Sequence, residues 1–208
     1  VSEPSGLAGP KKEGVMNSVL PNAESYPKTI MLRDGAQVKL RPLQEVDKIR
    51  LLEFFKHVPE EDRFYLKENV TAPEVIQEWT GNIDFDRIIP IVGLVNERII
   101  ADATLHRSRA MARHHLGELS VVVDPAYREV GLGRRLIREM LDIAADVGLH
   151  CVAFELVAGR ETAAINAASS VGFKEVATLP GRIKDFWGNY QDLVLLEMPL
   201  NDRHQWWY

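Results

Sequence analysis

The clearest pattern of apolar and polar positions lies in the second half of the chain, where apolar residues recur every three or four positions between charged ones. They are Leu132, Leu136, Ile137, Met140, Leu141, Ala144 and Val147. This spacing predicts an amphipathic helix that buries one face in the core. Gly148 is the expected end of the helix, because glycine tolerates the left-handed backbone of a C-terminal cap.

Shorter apolar runs on both sides of this helix predict β-strands. Such runs, when they are rich in β-branched residues and end at polar or turn-forming ones, are typical of strands. They cover residues 38–40, 88–95, 99–105, 116–123, 151–157, 173–179 and 193–198. The second and third runs are joined by Asn96-Glu97-Arg98, which predicts a hairpin.

Four further segments have helical character. They cover residues 46–56, 60–66, 73–80 and 162–170. In the first of them, Ile49, Leu52 and Phe55 are near helical spacing and form the expected apolar face.

The two ends of the chain differ from this patterned region. Residues 1–28 are dominated by Pro, Gly, Ser, Lys and Glu without a sustained period, which predicts a flexible tail. Met16 in this tail is a candidate natural start. We expect one domain over residues 29–200, because no repeat or linker divides it, and a C-terminal tail over residues 201–208.

Composition narrows the class of protein. The chain of 208 residues is 46% hydrophobic and 26% charged, which suits a single domain with a full core. Its formal net charge of −5 argues against nucleic-acid binding, which usually needs a basic excess. The six histidines show no metal-ligand spacing, and no apolar run is long enough to span a membrane. Since no secretory signal pattern is present either, we expect a cytoplasmic enzyme without a metal.

A candidate anion-binding loop connects the strand at residues 116–123 to the amphipathic helix. The loop contains Asp124, Pro125, Arg128, Gly131 and Gly133. Backbone N–H groups at the N-terminus of a helix bind anions, and the helix dipole favours negative charge there. Arg134 and Arg135 crowd this positive end of the dipole, so a bound phosphate or pyrophosphate would remove an electrostatic conflict.

Two common phosphate-binding motifs do not fit this loop. A Rossmann fingerprint needs a third glycine where the chain has Leu136. A P-loop needs Gly-Lys-Ser/Thr where the chain has Gly133-Arg134-Arg135. A nucleotide-dependent oxidoreductase is therefore disfavoured.

The spacing Arg128-x-x-Gly131-x-Gly133 between a strand and a helix resembles the acetyl-CoA pyrophosphate loop of the GNAT superfamily of N-acetyltransferases, and Gly172-Phe173 supports the resemblance. The resemblance implies the α/β GNAT fold, a mixed and strongly twisted central sheet with helices on both faces, and acetyl-CoA as cosubstrate. It implies cofactor binding by Val121, Val122, Val123, Arg128, Glu129, Val130, Gly131, Leu132, Gly133 and Arg134. The backbone of the three valines would pair with the pantetheine arm and polarise the thioester carbonyl.

Two positions depart from the family pattern. Many GNAT enzymes carry a tyrosine a few residues before the Gly-Phe pair, where it can protonate the leaving thiolate, and this chain has Ala168 there. The usual asparagine at the head of the same helix is matched by Glu161. A thiol with a pKa near ~8.5 is a good enough leaving group for transfer to proceed without a dedicated acid.

Within the superfamily, residues 31–47, 117–133 and 184–198 resemble the Pat-type protein lysine acetyltransferases. This implies that Glu118 is the general base and that the acceptor is a protein lysine, with an acyl-CoA synthetase as a candidate partner. Two alternatives stay open: an acetyltransferase for a small-molecule amine, and a non-catalytic module that binds acyl-CoA.

Glu118 also suits the role of base on physical grounds. A lysine with a pKa of about 10.4 must lose a proton before its amine can attack a thioester. Glu118 lies in a strand whose alternate positions Leu119 and Val121 are apolar, and this strand leads to the glycine loop. We expect partial burial beside apolar walls to raise the pKa of Glu118 and so improve it as a base near neutral pH.

Overall fold

The structure is a computed structural model that describes Leu20, residues 22–81 and residues 83–200. Within this part of the chain, eight strands form one sheet in the order β1-β2-β3-β4-β5-β6-β8-β7. The strands are β1 (Lys28–Met31), β2 (Gln37–Pro42), β3 (Ile88–Val95), β4 (Arg98–Arg107), β5 (Leu116–Val123), β6 (Cys151–Val157), β7 (Lys174–Lys184) and β8 (Tyr190–Pro199). The helices are α1 (Lys48–His57), α2 (Glu60–Arg63), α3 (Pro73–Gly81), α4 (Leu132–Asp146) and α5 (Thr162–Ser169).

The sheet is mixed, because β5 and β6 pair in parallel while the other neighbouring strands are antiparallel. A parallel pair needs a long crossover, and the glycine loop with α4 provides it between β5 and β6. The antiparallel hairpin of β3 and β4 turns at Asn96 and Glu97, both of which have positive φ. This tight turn is the predicted hairpin.

Helices cover both faces of the sheet and divide the core in two. On one face α4 buries Leu136, Met140 and Leu141 in the larger cluster, which also takes in Ala168 of α5. On the other face α1 and α3 bury Phe54 and Ile76 in a second cluster. The predicted α/β fold, a mixed sheet with helices on both faces, is confirmed.

The buried face of α1 differs from the sequence expectation. The side chain of Ile49 is 70% exposed, while Leu51, Phe54 and Phe55 are buried. Of the expected face, Phe55 is buried and Leu52 packs against the second cluster, so the expectation was wrong only for Ile49, whose place is taken by Leu51 and Phe54. Packing against the sheet decides which of these side chains are buried.

The ends of the patterned region also extend further than expected. Leu20 is buried, Ala23–Ser25 form a 3-10 turn, and β1 begins at Lys28, so described residues that were predicted to be tail pack on the domain. Strand β7 runs on from the predicted end at residue 179 to Lys184, and β8 begins earlier, at Tyr190. Residues 1–19 and 201–208, which include Met16 and most of both predicted tails, lie outside the described part of the chain.

Candidate active site

Strands β5 and β6 diverge and open a cleft in the middle of the sheet. Their parallel pairing covers only Leu116–Glu118 and Cys151–Ala153. Beyond this point β5 remains paired with β4 as far as Val123, and β6 remains paired with β8 as far as Val157. One edge of each strand is therefore left unpaired inside the sheet, where backbone groups are normally satisfied by a neighbour.

The register shows which backbone groups face this cleft. The N–H of Asp124 donates to the carbonyl of Ile100 in the direction of β4, at 2.9 Å. Because backbone groups alternate between the two edges of a strand, those of Val121 and Val123 point to the unpaired edge, whereas the N–H of Leu119 is used in the last pairing with β6, at Ala153. Val122 instead faces β4 with its backbone and contacts the second core cluster with its side chain. Of the three valines predicted to bind the cofactor, two present backbone groups to the cleft.

The glycine loop closes the wide end of the cleft. Glu129 and Gly131 have φ values of 61° and 93°, and Gly131 immediately precedes α4. Leu132 is buried and anchors the start of the helix, while Val130 packs against the core. The backbone N–H groups of residues 129–134 make no hydrogen bond to any described residue. This concentration of unpaired donors at the N-terminus of a fifteen-residue helix is what an anion needs.

Arginine side chains surround the loop, and one of them was not identified from the sequence. The Nη2 of Arg33, in the turn between β1 and β2, donates to the carbonyl of Glu129 at 2.7 Å. Its backbone N–H donates to the carbonyl of Val130 at 3.2 Å. Arg33 thus braces the outer side of the loop. Arg134 lies exposed on the first turn of α4 and lines the same cleft.

Arg128 is held by an acidic residue of α2. Its Nη2 donates to Oδ2 of Asp62 at 2.8 Å, and its Nε donates to the carbonyl of Val123 at 3.1 Å. The other carboxylate oxygen of Asp62 accepts from Nη2 of Arg160 at 2.7 Å. Arg160 follows the end of β6, so Asp62 bridges the two arginines across the wide end of the cleft. A carboxylate occupies the position between two guanidinium groups that a phosphate would also suit.

Glu118 lies at the narrow end of the cleft, where β5 and β6 part. Its Oε1 accepts from Nζ of Lys67, which lies between α2 and α3, at 2.5 Å. The side chain of Glu118 is 36% exposed. The structure therefore places a lysine ammonium against this carboxylate, in contrast to the apolar walls expected from the sequence, because α2 and α3 bring a distant segment over the strand.

A row of polar side chains continues from Glu118 along the same face of the sheet. His106 of β4 lies directly opposite Glu118, and Thr104 lies opposite Ser120. Burial, together with the neighbouring Lys67 ammonium, lowers the pKa of His106 below its usual range, so the imidazole is neutral at pH 7. Sequence reasoning missed His106 because its partner across the strands becomes visible only with the register.

Asp102 ends this row and is the most deeply buried carboxyl group that lines the cleft. It is 5% exposed and accepts one hydrogen bond, from the Thr104 hydroxyl at 3.2 Å. Burial raises its pKa to about 7, and the bond from Thr104 opposes the shift. The sequence analysis did not identify Asp102, because a single Asp in an apolar run gives no sign of a cleft.

The positions that depart from the family pattern have structural roles. Glu161 is largely buried, and its Oε2 accepts the N–H of Val157 at 2.6 Å, which closes the turn from β6 into α5. Ala168 is fully buried in the larger core cluster. Tyr65, just after α2, lines the cleft, and its buried hydroxyl has no hydrogen-bond partner among the described residues.

The whole cleft has a volume of about 1410 Å³ and runs from the glycine loop to the polar row around Glu118. Aromatic rings continue from one side of the cleft: Phe64 lines it and contacts Phe186 with a centroid distance of 5.8 Å, and Phe186 contacts Trp187 at 5.7 Å.

Among the described residues, no group of three or more His, Cys, Asp or Glu side chains is placed to hold a metal ion. In the same part of the chain, no helix combines the length and the apolar character that crossing a bilayer requires.

An α/β sheet split at a parallel strand pair, with an anion loop at one end of the split, defines the class of this protein. Residues 43–173 match the Acetyltransferase (GNAT) family, and the chain belongs to this family. The acetyltransferase resemblance and the GNAT fold expected from the glycine loop are confirmed.

Three relatives show how far the likeness extends. The L-amino acid N-acyltransferase MnaT of Escherichia coli (strain K12) is 34% identical over 92 residues, which are 43% of this chain and 51% of MnaT. The chain spans about half the length of the first curated relatives it matches. The structure of yncA from Salmonella typhimurium, solved with its cofactor acetyl-CoA, superposes with a TM-score of 0.69 at 21% identity, covering 80% of this chain and 95% of yncA. The GNAT domain of S. lividans PAT superposes with a TM-score of 0.67 at 21% identity, covering 83% and 96%. These two structures share the fold.

Proposed function

We propose that the protein is an acetyl-CoA-dependent N-acetyltransferase that transfers the acetyl group to a primary amine by direct attack, with Glu118 as general base. One observation carries the proposal. Strand β5 bears Glu118 where it parts from β6 and then leads, along an unpaired edge, to the anion loop. A single element thus connects a base to a phosphate site through a cleft that can hold an extended cofactor.

The cofactor would lie along β5 with its pyrophosphate at the loop. The unpaired N–H groups of residues 129–134 and the guanidinium of Arg128 would bind the phosphates. The pantetheine amides would pair, in place of a strand, with the open backbone of Val121 and with the N–H of Val123, whose carbonyl accepts from Arg128. The N–H of Val121, the first on β5 beyond the pairing with β6, would stabilise negative charge that develops on the thioester oxygen.

Glu118 would take the proton that the attacking amine must lose. General-base catalysis of this kind typically contributes about 10²–10⁴-fold to the rate. The Lys67 ammonium, bound to Glu118 at 2.5 Å, shows that a cationic amine fits at this carboxylate. As the amine nitrogen bonds to the acetyl carbon, the carbon–sulfur bond breaks and coenzyme A leaves as the thiolate. Ala168 has no hydroxyl to protonate it, so the thiolate would leave without a dedicated acid and take its proton from water.

We propose a lysine side chain of a protein as the acceptor. The support is the Lys67 side chain at Glu118, the open cleft rimmed by exposed Phe64 and Trp187, and the resemblance to Pat-type enzymes. An acyl-CoA synthetase is the partner that this resemblance suggests. A small amine is the second candidate, and the 34% identity to the L-amino acid N-acyltransferase MnaT favours it.

Release of free coenzyme A from acetyl-CoA tests the function and separates the two acceptors. The panel contains acyl-CoA synthetases and other folded proteins in one arm, and amino acids and polyamines in the other. We expect turnover with proteins and transfer of label to their lysines. Efficient turnover of one amino acid without protein labelling would assign the small-amine reaction instead. Binding of acetyl-CoA without turnover of any amine would leave a non-catalytic acyl-CoA-binding module.

A further inference from the structure

We propose that Lys67 is itself an acceptor and that the protein acetylates this lysine within its own chain. The inference rests on the proposed function, because it needs acetyl-CoA in the cleft and Glu118 as the base. It goes beyond that function, because it assigns a modification site outside the acetyltransferase machinery.

The position of Lys67 carries the proposal. Its Nζ lies 2.5 Å from Oε1 of Glu118. Any acceptor amine would have to lose its proton to this same carboxylate. Glu118 is the last residue of β5 that pairs with β6, so the unpaired edge along which the thioester would lie begins beside it. The nucleophile, the base and the open backbone of β5 therefore meet at one point of the cleft.

The segment around Lys67 is fixed on both sides, so the contact with Glu118 is built into the fold. On one side Leu66 packs against the second core cluster. On the other side Oε2 of Glu68 accepts from the indole N–H of Trp79 on α3 at 3.0 Å, and Val70 is buried. Lys67 stands between these anchors with its side chain 65% exposed, accessible from the cleft. An amine held in place beside its electrophile reacts as if its effective concentration were about 10⁵–10⁸ M in favourable cases.

The chemical step balances without a further reactant. Glu118 takes one proton from the Lys67 ammonium, and the neutral amine attacks the thioester carbonyl of acetyl-CoA. The new nitrogen–carbon bond forms as the carbon–sulfur bond breaks, and coenzyme A leaves as the thiolate, while the second amine proton passes to solvent. The product, N-acetyl-Lys67, carries no charge, so its ion pair with Glu118 is lost and the carboxylate becomes free for an external amine.

Mass spectrometry of the full chain after incubation with isotopically labelled acetyl-CoA tests the proposal. We expect Lys67 to be acetylated well before Lys56, an exposed lysine on α1, and at a first-order rate that does not depend on protein concentration. Glu118→Gln should slow labelling of Lys67 by about 10²–10⁴-fold and leave background labelling of Lys56 unchanged. Lys67→Arg, which keeps the positive charge, should remove the fast label, and Lys56→Arg should not.

A mixing experiment shows whether the reaction stays within one chain. Wild-type protein is incubated with an affinity-tagged Glu118→Gln chain, and the two are separated before digestion. Label on Lys67 of the wild-type chain only supports the proposal, while label on the tagged chain overturns it. If Glu118→Gln does not change the rate at which Lys67 is labelled, the proposal is overturned as well, because the labelling would then be uncatalysed. If external amines are acetylated and Lys67 is not, only this inference fails; if no amine of any kind is acetylated, the proposed function fails with it.

Discussion

At the scale of single residues, the buried carboxyl groups of Asp47 and Asp102 have pKa values shifted in opposite directions by their surroundings. Burial alone would raise the pKa of Asp47, but bonds from Arg41 at 2.6 and 2.7 Å and from the N–H of Gln44 hold it below its ordinary value. Among the described residues, Asp102 accepts a hydrogen bond only from the Thr104 hydroxyl, and its pKa rises to about 7. The same type of side chain is therefore an anion beside α1 and keeps its proton well above the ordinary carboxyl range in the cleft.

The raised pKa of Asp102 predicts a dependence of stability on pH. Between the ordinary carboxyl pKa and about pH 7 the folded state binds a proton that the unfolded state does not, so the free energy of unfolding falls as pH rises through this window. Asp102→Asn should remove the fall and make the protein more stable than wild type at pH 8, by on the order of 2 kcal/mol, with little difference at pH 4.

Urea unfolding at both pH values measures this effect, and Asp47→Asn is the matched control of opposite sign. Because the pKa of Asp47 is lowered, its contribution is present at pH 8 and is lost only in acid, so this variant should be destabilised at pH 8. A wild-type protein that is equally stable at pH 5 and pH 8, with Asp102→Asn unchanged, would show that Asp102 ionises normally.

At the scale of elements, the contact of α2 with the cleft has a consequence for cofactor binding. Asp62 neutralises Arg128 and Arg160, and Arg160 also lies against the rings of Tyr65 and Trp187, at 5.5 and 5.8 Å. A phosphate that binds Arg128 must compete with this carboxylate. If the cofactor phosphates bind Arg128 as proposed, their binding would be coupled to the position of α2 and to the rings of Tyr65 and Trp187.

Removing this competition predicts a change in affinity. Asp62→Asn should tighten the binding of coenzyme A by about threefold to tenfold, because up to about 1.4 kcal/mol of competing interaction is lost. Glu60→Gln, an exposed position on the same helix, is the control for the change in net charge. Calorimetric titration measures the affinity of both variants for coenzyme A. Weaker binding by Asp62→Asn would mean that Asp62 positions the arginines for the phosphate and does not compete with it.

Elements whose signals are local could be predicted from the sequence, and contacts between distant segments could not. Strand β5, the glycine loop and the apolar stripe of α4 all lie within residues 116–146, so local spacing was enough to predict strand, loop and helix in the right places. Lys67 and Asp62 meet Glu118 and Arg128 across 51 and 66 residues, and no periodicity encodes such pairs. For the same reason the sequence suggested apolar walls for Glu118, where the structure has a lysine.

At the scale of the whole molecule, the two faces of the sheet differ in polarity, and the gap between β5 and β6 opens to both of them. The face that carries α4 is filled by the larger apolar core, and the opposite face carries the polar row of His106, Glu118 and Asp102. An acetyl group delivered through the gap would reach an amine on the polar face while the phosphates stay at the loop. If the cofactor lies along β5 as proposed, the pairing of β5 with β6 would set its distance from Glu118.

The role of Glu118 as general base is tested by the pH dependence of kcat/KM for Glu118→Gln, measured with the acceptor that the coenzyme A release assay identifies. We predict that the variant keeps the wild-type affinity for acetyl-CoA and loses about 10²–10⁴-fold in kcat/KM at pH 7, equivalent to roughly 3–5 kcal/mol of barrier. The deficit should shrink as pH approaches the pKa of the acceptor amine, which then needs no base. A variant with undiminished kcat/KM at pH 7, or a deficit of the same size at every pH, would contradict the assignment of Glu118 as the general base.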